Sequence, residues 1–376
     1  MRRLFVVPLV GLALGAPAFA QAPKADGNAA MKYWQAFGLM PNLTPEQEKL
    51  LRDGDKAPLD AAAGKLIEQS KNSLDYLHRG ARLTRCDWAL DYRDGIGLLL
   101  PHAAKARTLA QLAALRARHE FEHGDAKAGL ADVLAMFTLA RHVENEPVMI
   151  LQLVGYAIEG MAVQAAAPHL PASKAALADV AAALDRLPAS PTVADMLKRE
   201  NESFLGWTIR ELKAAEKARP GSWAVLWKEL IADPAEGGEP GAEALKAVRS
   251  YDAAVKLSEG LIPMYDELAK LSELPPKEFD AKYPEFVKKA QAANPLARAV
   301  LPAVDKVTAA KRRTDARLAL LKAAIAVVRG GPDALKDRKD PFGAGPFGYR
   351  ATDGGFELMS KLTYKDQPVK LAVGKK

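Results

Sequence analysis

Residues 119–123 read His-Glu-Phe-Glu-His. On an α-helix His119 and His123 fall one turn apart on the same face. Both imidazoles can then reach one divalent cation, and Glu120 can take a proton from a water bound to it. Glu144, 21 residues after His123, offers a carboxylate as third ligand. A zinc-dependent hydrolase with Glu120 as base and His119, His123 and Glu144 as ligands is therefore one expectation. A plainer one competes with it. Arg116–Glu120 and Arg118–Glu122 are each four residues apart and can pair on a solvated helix surface, with Ala110, Ala117 and Phe121 on the packing side. The plainer reading leads, and under it no catalytic residue, metal or cofactor is assigned.

The spacing of Glu144 is similar to that in the gluzincin metallopeptidases, a resemblance that implies the ligand set above. The chain departs from the pattern at Glu122, where that family carries an uncharged residue, and at Gly124-Asp125, which ends the helix directly after His123. There is no G-x-S-x-G elbow, no P-loop and no G-x-G-x-x-G following a strand. Six histidines (78, 102, 119, 123, 142, 169) leave few general bases. The lone Cys86 cannot form an internal disulfide and is expected to pack as a small apolar side chain.

The elements that must position these groups are mostly helical. Residues 1–20, MRRLFVVPLVGLALGAPAFA, have a basic start, an apolar middle and a small-x-small end, the pattern of a cleaved export leader. Removing them leaves 51 basic against 46 acidic residues, a net charge of +5. That charge is spread along the chain and does not argue for nucleic acid. The expected location is the periplasm or the exterior.

Helices are expected over 28–52 (two short ones), 58–79, 101–123, 126–143, 148–167, 173–186, 191–218, 222–232, 241–272 and 295–329. Residues 84–97, TRCDWALDYRDGIG, read as an irregular link whose aromatic and charged residues can line a cleft. Residues 233–241, DPAEGGEPG, read as a flexible linker, and Pro275, Pro276 and Pro284 as breakers. The stretch 148–167 is long enough to span a membrane, but Glu159 at its centre favours a helix buried among helices, so no integral membrane segment is expected in the mature chain.

Residues 114–141, ALRARHEFEHGDAKAGLADVLAMFTLAR, resemble a tetratricopeptide-like helical hairpin: an Ala-rich helix, a Gly-Asp corner and an Ala/Leu helix. The C-terminal part resembles that of type II secretion pseudopilins, a helix followed by D-P-F-G-x-x-P-F-x-Y and, after a glycine turn, G-F-x-L-x-S. The residues are Asp340, Pro341, Phe342, Gly343, Pro346, Phe347, Tyr349, Gly355, Phe356, Leu358 and Ser360. No methylation segment precedes it, and KLTYKDQP stands where the acidic calcium loop would be, so neither a pilin subunit nor calcium is implied. Together with residues 124–162, this tail is similar to uncharacterised exported bacterial helical proteins.

The fold expected is mainly α: a degenerate helical-hairpin, tetratricopeptide-like body over 21–312, closed by a helix and β-hairpin over 313–376. The leading function is an exported, non-enzymatic binding or scaffold protein for a protein or peptide partner. The zinc hydrolase and a purely structural envelope protein are the alternatives.

Overall fold

The computed structural model describes residues 27–231, 248–300 and 304–374; the expected leader, the expected linker at 233–241 and Pro302 lie outside them. The chain is mainly helical, with a three-stranded antiparallel sheet at its C-terminal end.

Helices α1 (Ala29–Gly38) and α2 (Pro45–Asp53) begin as their capping residues dictate. Asn28 accepts from the Ala30 N–H, and Thr44 forms a capping box with Gln47. The helix expected over 58–79 is two, α3 (Ala61–Gln69) and α4 (Lys71–Ala81). The break falls at buried Ser70, whose hydroxyl donates to the Leu66 carbonyl while Ser73 donates to the Ser70 carbonyl, each at 2.8 Å. Side-chain bonding of this kind competes with the helical ladder.

Helices α5 (Pro101–Glu122) and α6 (Ala126–Glu144) form an antiparallel hairpin, and α7 (Met149–Ala166) packs on both. Gly124 turns the corner at φ +85°, and Asp125 caps α6 by accepting from the Ala128 N–H. Ala106, Ala110, Ala113 and Ala117 of α5 and Ala135 and Ala140 of α6 are buried, so the axes approach closely.

Next come α8 (Leu177–Asp185), α9 (Val193–Glu200), a π-turn (Asn201–Leu205), α10 (Gly206–Ala218) and α11 (Trp223–Ile231). They are followed by α12 (Tyr251–Glu259), α13 (Ile262–Ser272), α14 (Pro276–Ala293) and α15 (Val304–Gly330). Of the prolines expected to break 274–284, Pro275 and Pro276 stand at the boundary between α13 and α14, with Pro275 as the N-cap, whereas Pro284 does not break the helix. Pro276 occupies the first turn of α14, where its missing N–H is not needed, and Pro284 sits inside the helix. Burial of Phe279, Tyr283, Phe286 and Ala290 holds that helix together across Pro284.

Two apolar cores result. One unites residues 29–184 with the latter part of α15 and the sheet; the other is built by residues from 193 to 307, joined by Tyr156. α15 runs through both, with Val304 and Val307 in the second and Ala316 to Val327 in the first.

Strands β1 (Gly348–Thr352), β2 (Gly355–Tyr364) and β3 (Gln367–Gly374) pair in order, with Leu358 opposite both Tyr349 and Leu371. The expected second hairpin is an extension of the first, since β2 is one long strand. Its turn is Lys365-Asp366, both at positive φ, one residue earlier than Asp366-Gln367-Pro368. Phe356, Leu358, Leu371 and Val373 are buried and join the core that includes Leu321 and Ile325 of α15. The carboxylate of Asp340, 2 % exposed, ties the preceding loop to β2. It accepts from the Phe342 N–H at 3.0 Å, the Ser360 hydroxyl at 2.9 Å and the Lys361 N–H at 2.5 Å.

Candidate functional site

The hairpin geometry separates the residues of the His-Glu-Phe-Glu-His stretch from their expected third ligand. His119 and His123 share a face at the C-terminal end of α5, their rings stacked with centroids 4.0 Å apart, and His123 Nδ1–H donates to the His119 carbonyl. Phe121 stacks on His169. Glu144 closes the antiparallel α6, about 27 Å along the helix from its start at 1.5 Å per residue. Among the described residues no group of three or more His, Cys, Asp or Glu side chains is disposed to hold a metal. The arginines feel the expected glutamates, Glu120 on Arg116 and Glu122 on Arg118, but make their direct contacts elsewhere. Arg116 is held by Asp132, and Arg118 donates to the carbonyls of Gly54 and Ala57.

Glu144 belongs to a buried polar cluster. Arg141 Nη1 lies 3.0 Å from Glu144 Oε2 and 2.8 Å from Glu159 Oε1, and Ser190 donates to Glu144 at 2.6 Å. Gln152 donates to the Glu144 carbonyl and receives the Tyr156 hydroxyl. Gly155 leaves room for this carboxylate, since a Cβ there would meet Glu144 Cγ at 2.2 Å. One guanidinium faces two carboxylates. Burial, then the neighbouring Glu144, raise Glu159 well above the carboxylate range and favour its protonated form. This polar seam runs along one side of α7, the apolar helix that is buried among its neighbours.

The irregular link 84–97 divides its residues. Trp88 enters the core, stacking on Phe37 and His102 and donating from Nε1 to the His142 carbonyl. Tyr92 reaches a cavity at the start of α7. Asp91 and Arg93 pair with each other in solvent. Burial, then Glu146, push the Cys86 thiol up, away from a reactive thiolate.

What the three helices α4, α5 and α6 do build is an open groove of about 460 Å³. Its floor is Asp132, 1 % exposed, gripped through both oxygens by Arg116: Nε to Oδ2 at 2.8 Å and Nη2 to Oδ1 at 2.5 Å. His78 Nε2 stands 2.6 Å from Asp132 Oδ1 and 3.0 Å from Arg116 Nη2, so that nitrogen donates to the first or accepts from the second. Arg79 on α4 and Arg82, the residue that caps its C-terminal end, line the rim with Asp75 and Glu120. Among the described residues neither arginine forms an ion pair; Arg79 lies over the Tyr76 ring at 4.5 Å. Among the described lining residues none is Ser, Thr or Cys, so no side-chain nucleophile stands beside the His78–Asp132 pair. Sequence reasoning missed this site because His78, Arg116 and Asp132 stand on three helices; Arg116 was assigned to a neighbour on its own helix.

Compared with known proteins, the chain matches no family model, no curated protein and no solved structure.

Proposed function

We propose that this is an exported, non-enzymatic helical binding protein whose α4–α6 groove receives a charged segment of a partner protein in the cell envelope. The observation that carries the reading is the groove itself: a floor fixed by the Arg116–Asp132 pair below a rim where Arg79 and Arg82 are exposed and, among the described residues, form no ion pair. A rigid floor keeps the cost of ordering low on binding, and rim charges steer and select a partner. The export pattern of residues 1–20, the tetratricopeptide-like hairpin and the pseudopilin-like tail support an envelope scaffold, because stacked helical hairpins offer concave surfaces to peptides. The charges at the rim are of both signs, Asp75 and Glu120 beside the arginines, which fits a segment carrying both signs. Photo-crosslinking in the native envelope tests this. A crosslinker at position 79 or 82 is expected to capture one defined partner, and one at Lys288, outside the groove, is expected to miss it. Reversing both charges (Arg79→Glu with Arg82→Glu) is expected to abolish capture. Equal capture from both faces, or none from the groove, refutes the reading.

A further inference from the structure

A separate cavity of about 220 Å³ lies where the 3-10 turn Tyr92–Gly97, the start of α7 and the π-turn after α9 meet. Leu98, Leu100, Val148 and Phe204 form its apolar wall; Tyr92, Glu200 and Ser203 supply its polar groups. The Met149 N–H donates to the Glu200 carboxylate, while Glu200 Oε2 is buried with no hydrogen-bond partner. A buried oxygen of this kind costs stability unless something is bound to it. The Tyr92 hydroxyl donates to a second carboxylate, Glu146. Among the described residues no Lys or Arg lines the cavity, and Arg199, the neighbour of Glu200, is occupied with the Asn145 carbonyl at 3.1 Å. One wall is held rigidly: Trp207 donates to the Arg93 carbonyl at 2.7 Å and packs against Gly95, where a Cβ would meet its ring at 2.3 Å. Leu99 (78 % exposed) and Ile150 (53 % exposed), beside lining segments in the chain, add apolar surface in solvent.

We infer that this cavity binds a small organic ammonium ion with an apolar body, its nitrogen held by the Glu200 carboxylate and its hydrocarbon part by Leu98, Val148 and Phe204. At about 30 Å³ per water-sized group the space suits roughly seven non-hydrogen atoms. The cation is preferred to a neutral ligand of equal size because the polar groups that line the cavity among the described residues are the Glu200 carboxylate and the Tyr92 and Ser203 hydroxyls, with no positive charge among them.

The pH dependence follows from the same geometry. Burial pushes Glu200 up to about 7, opposed by the Met149 N–H. The titratable and charged groups around it are Tyr92 at the cavity, Glu146 bonded to that tyrosine, Tyr265 of α13 and Arg199 on its own helix. Burial raises both tyrosines, which stay neutral near pH 7, and raises Glu146, which acts in the same direction as Glu200. An alkylammonium, like lysine, stays charged throughout this range. It therefore binds the ionised carboxylate and expels a proton when binding occurs below pH 7.

Calorimetry on the purified full-length mature chain tests this with n-hexylammonium, 1-hexanol and hexanoate. Hexylammonium is expected to bind roughly thirty-fold more tightly at pH 8 than at pH 5.5, from the ionised fraction of an acid at about 7. Hexanol is expected to show no such change, and hexanoate no binding. Glu200→Gln is expected to lose at least about tenfold in hexylammonium affinity at pH 8 and most of the pH dependence. Proton release by the unsubstituted protein at pH 6, read from two buffers of different ionisation enthalpy, gives the same answer without depending on how the variant folds. Equal binding of hexanol and hexylammonium, affinity flat with pH, or no binding at all overturns the inference.

Discussion

Substituting Asp340 gives the sharpest test of how the C-terminal segment is held. Its buried carboxylate accepts from Phe342 N–H, Ser360 Oγ–H and Lys361 N–H. A hydrogen bond to a charged group is worth about 1.5–3 kcal/mol, and losing the acceptor strands its donors. Phe342 and Lys361 are only partly buried, so water recovers part of the loss once the loop opens. Asp340→Ala is therefore expected to cost about 3–4 kcal/mol. With an unfolding entropy of about 2.1 cal/mol/K per residue over about 350 residues, that lowers the melting temperature by about 4–6 °C. If the core shared by the sheet and residues 29–184 melts by itself, the fall is larger. Asp340→Asn is expected to cost nearly as much, because either orientation of the amide points an NH₂ at a backbone N–H. Ser360→Ala removes one donor and the acceptor of the Leu362 N–H, and is expected to cost about 1–2 kcal/mol. Calorimetric or circular-dichroism melts of the mature protein decide it. An Asp340→Ala protein melting within about 1 °C of the parent would show that this loop is not clasped to β2 by the carboxylate.

His102→Phe is expected to stabilise the protein. Both ring nitrogens of His102 are buried without a partner, and its ring stacks on Trp88 at 4.5 Å, a contact phenylalanine keeps. The gain is about 1–2 kcal/mol at pH 7. Burial lowers His102 to about 4, below its unfolded value of about 6.5. Its contribution is thus complete above pH 6.5 and lost as pH falls toward 4, by about 3 kcal/mol. Urea midpoints measured against pH should show a shallower acid loss in the variant, with His142, also lowered by burial, retaining its share; an unchanged slope refutes the assignment. For the histidine motif, elemental analysis of purified protein is expected to find no stoichiometric zinc, and His119→Ala is expected to leave metal content unchanged. One zinc per chain, lost in that variant, would restore the metal site.

Much of the architecture was legible in local chemistry. The caps at Asn28, Thr44 and Asp125, the Gly124 corner and the alternation in β2 each follow from hydrogen bonds or periodicities that span a few residues. Helix ends were less legible where a local signal was outvoted. Ser70 ends a helix through its hydroxyl, and Pro284 sits within one because the aromatic face of α14 is buried. The candidate site was hardest to read. The i,i+4 histidines made a metal site plausible on one helix, but a third ligand depends on the direction of the next helix, and α6 carries Glu144 away to the other end of the hairpin.

The sequence by itself determined that the chain is mainly helical, that its tail forms a hairpin on a helix, and which face of several helices is apolar. Those properties reside in the spacing of side chains along one segment. Tertiary structure alone decided that Arg116 grips Asp132 rather than Glu120, that Glu144 joins Arg141 and Glu159, and that Glu200 faces a cavity beside Tyr92. Each of these depends on which segments meet in space, and no spacing along the chain encodes that.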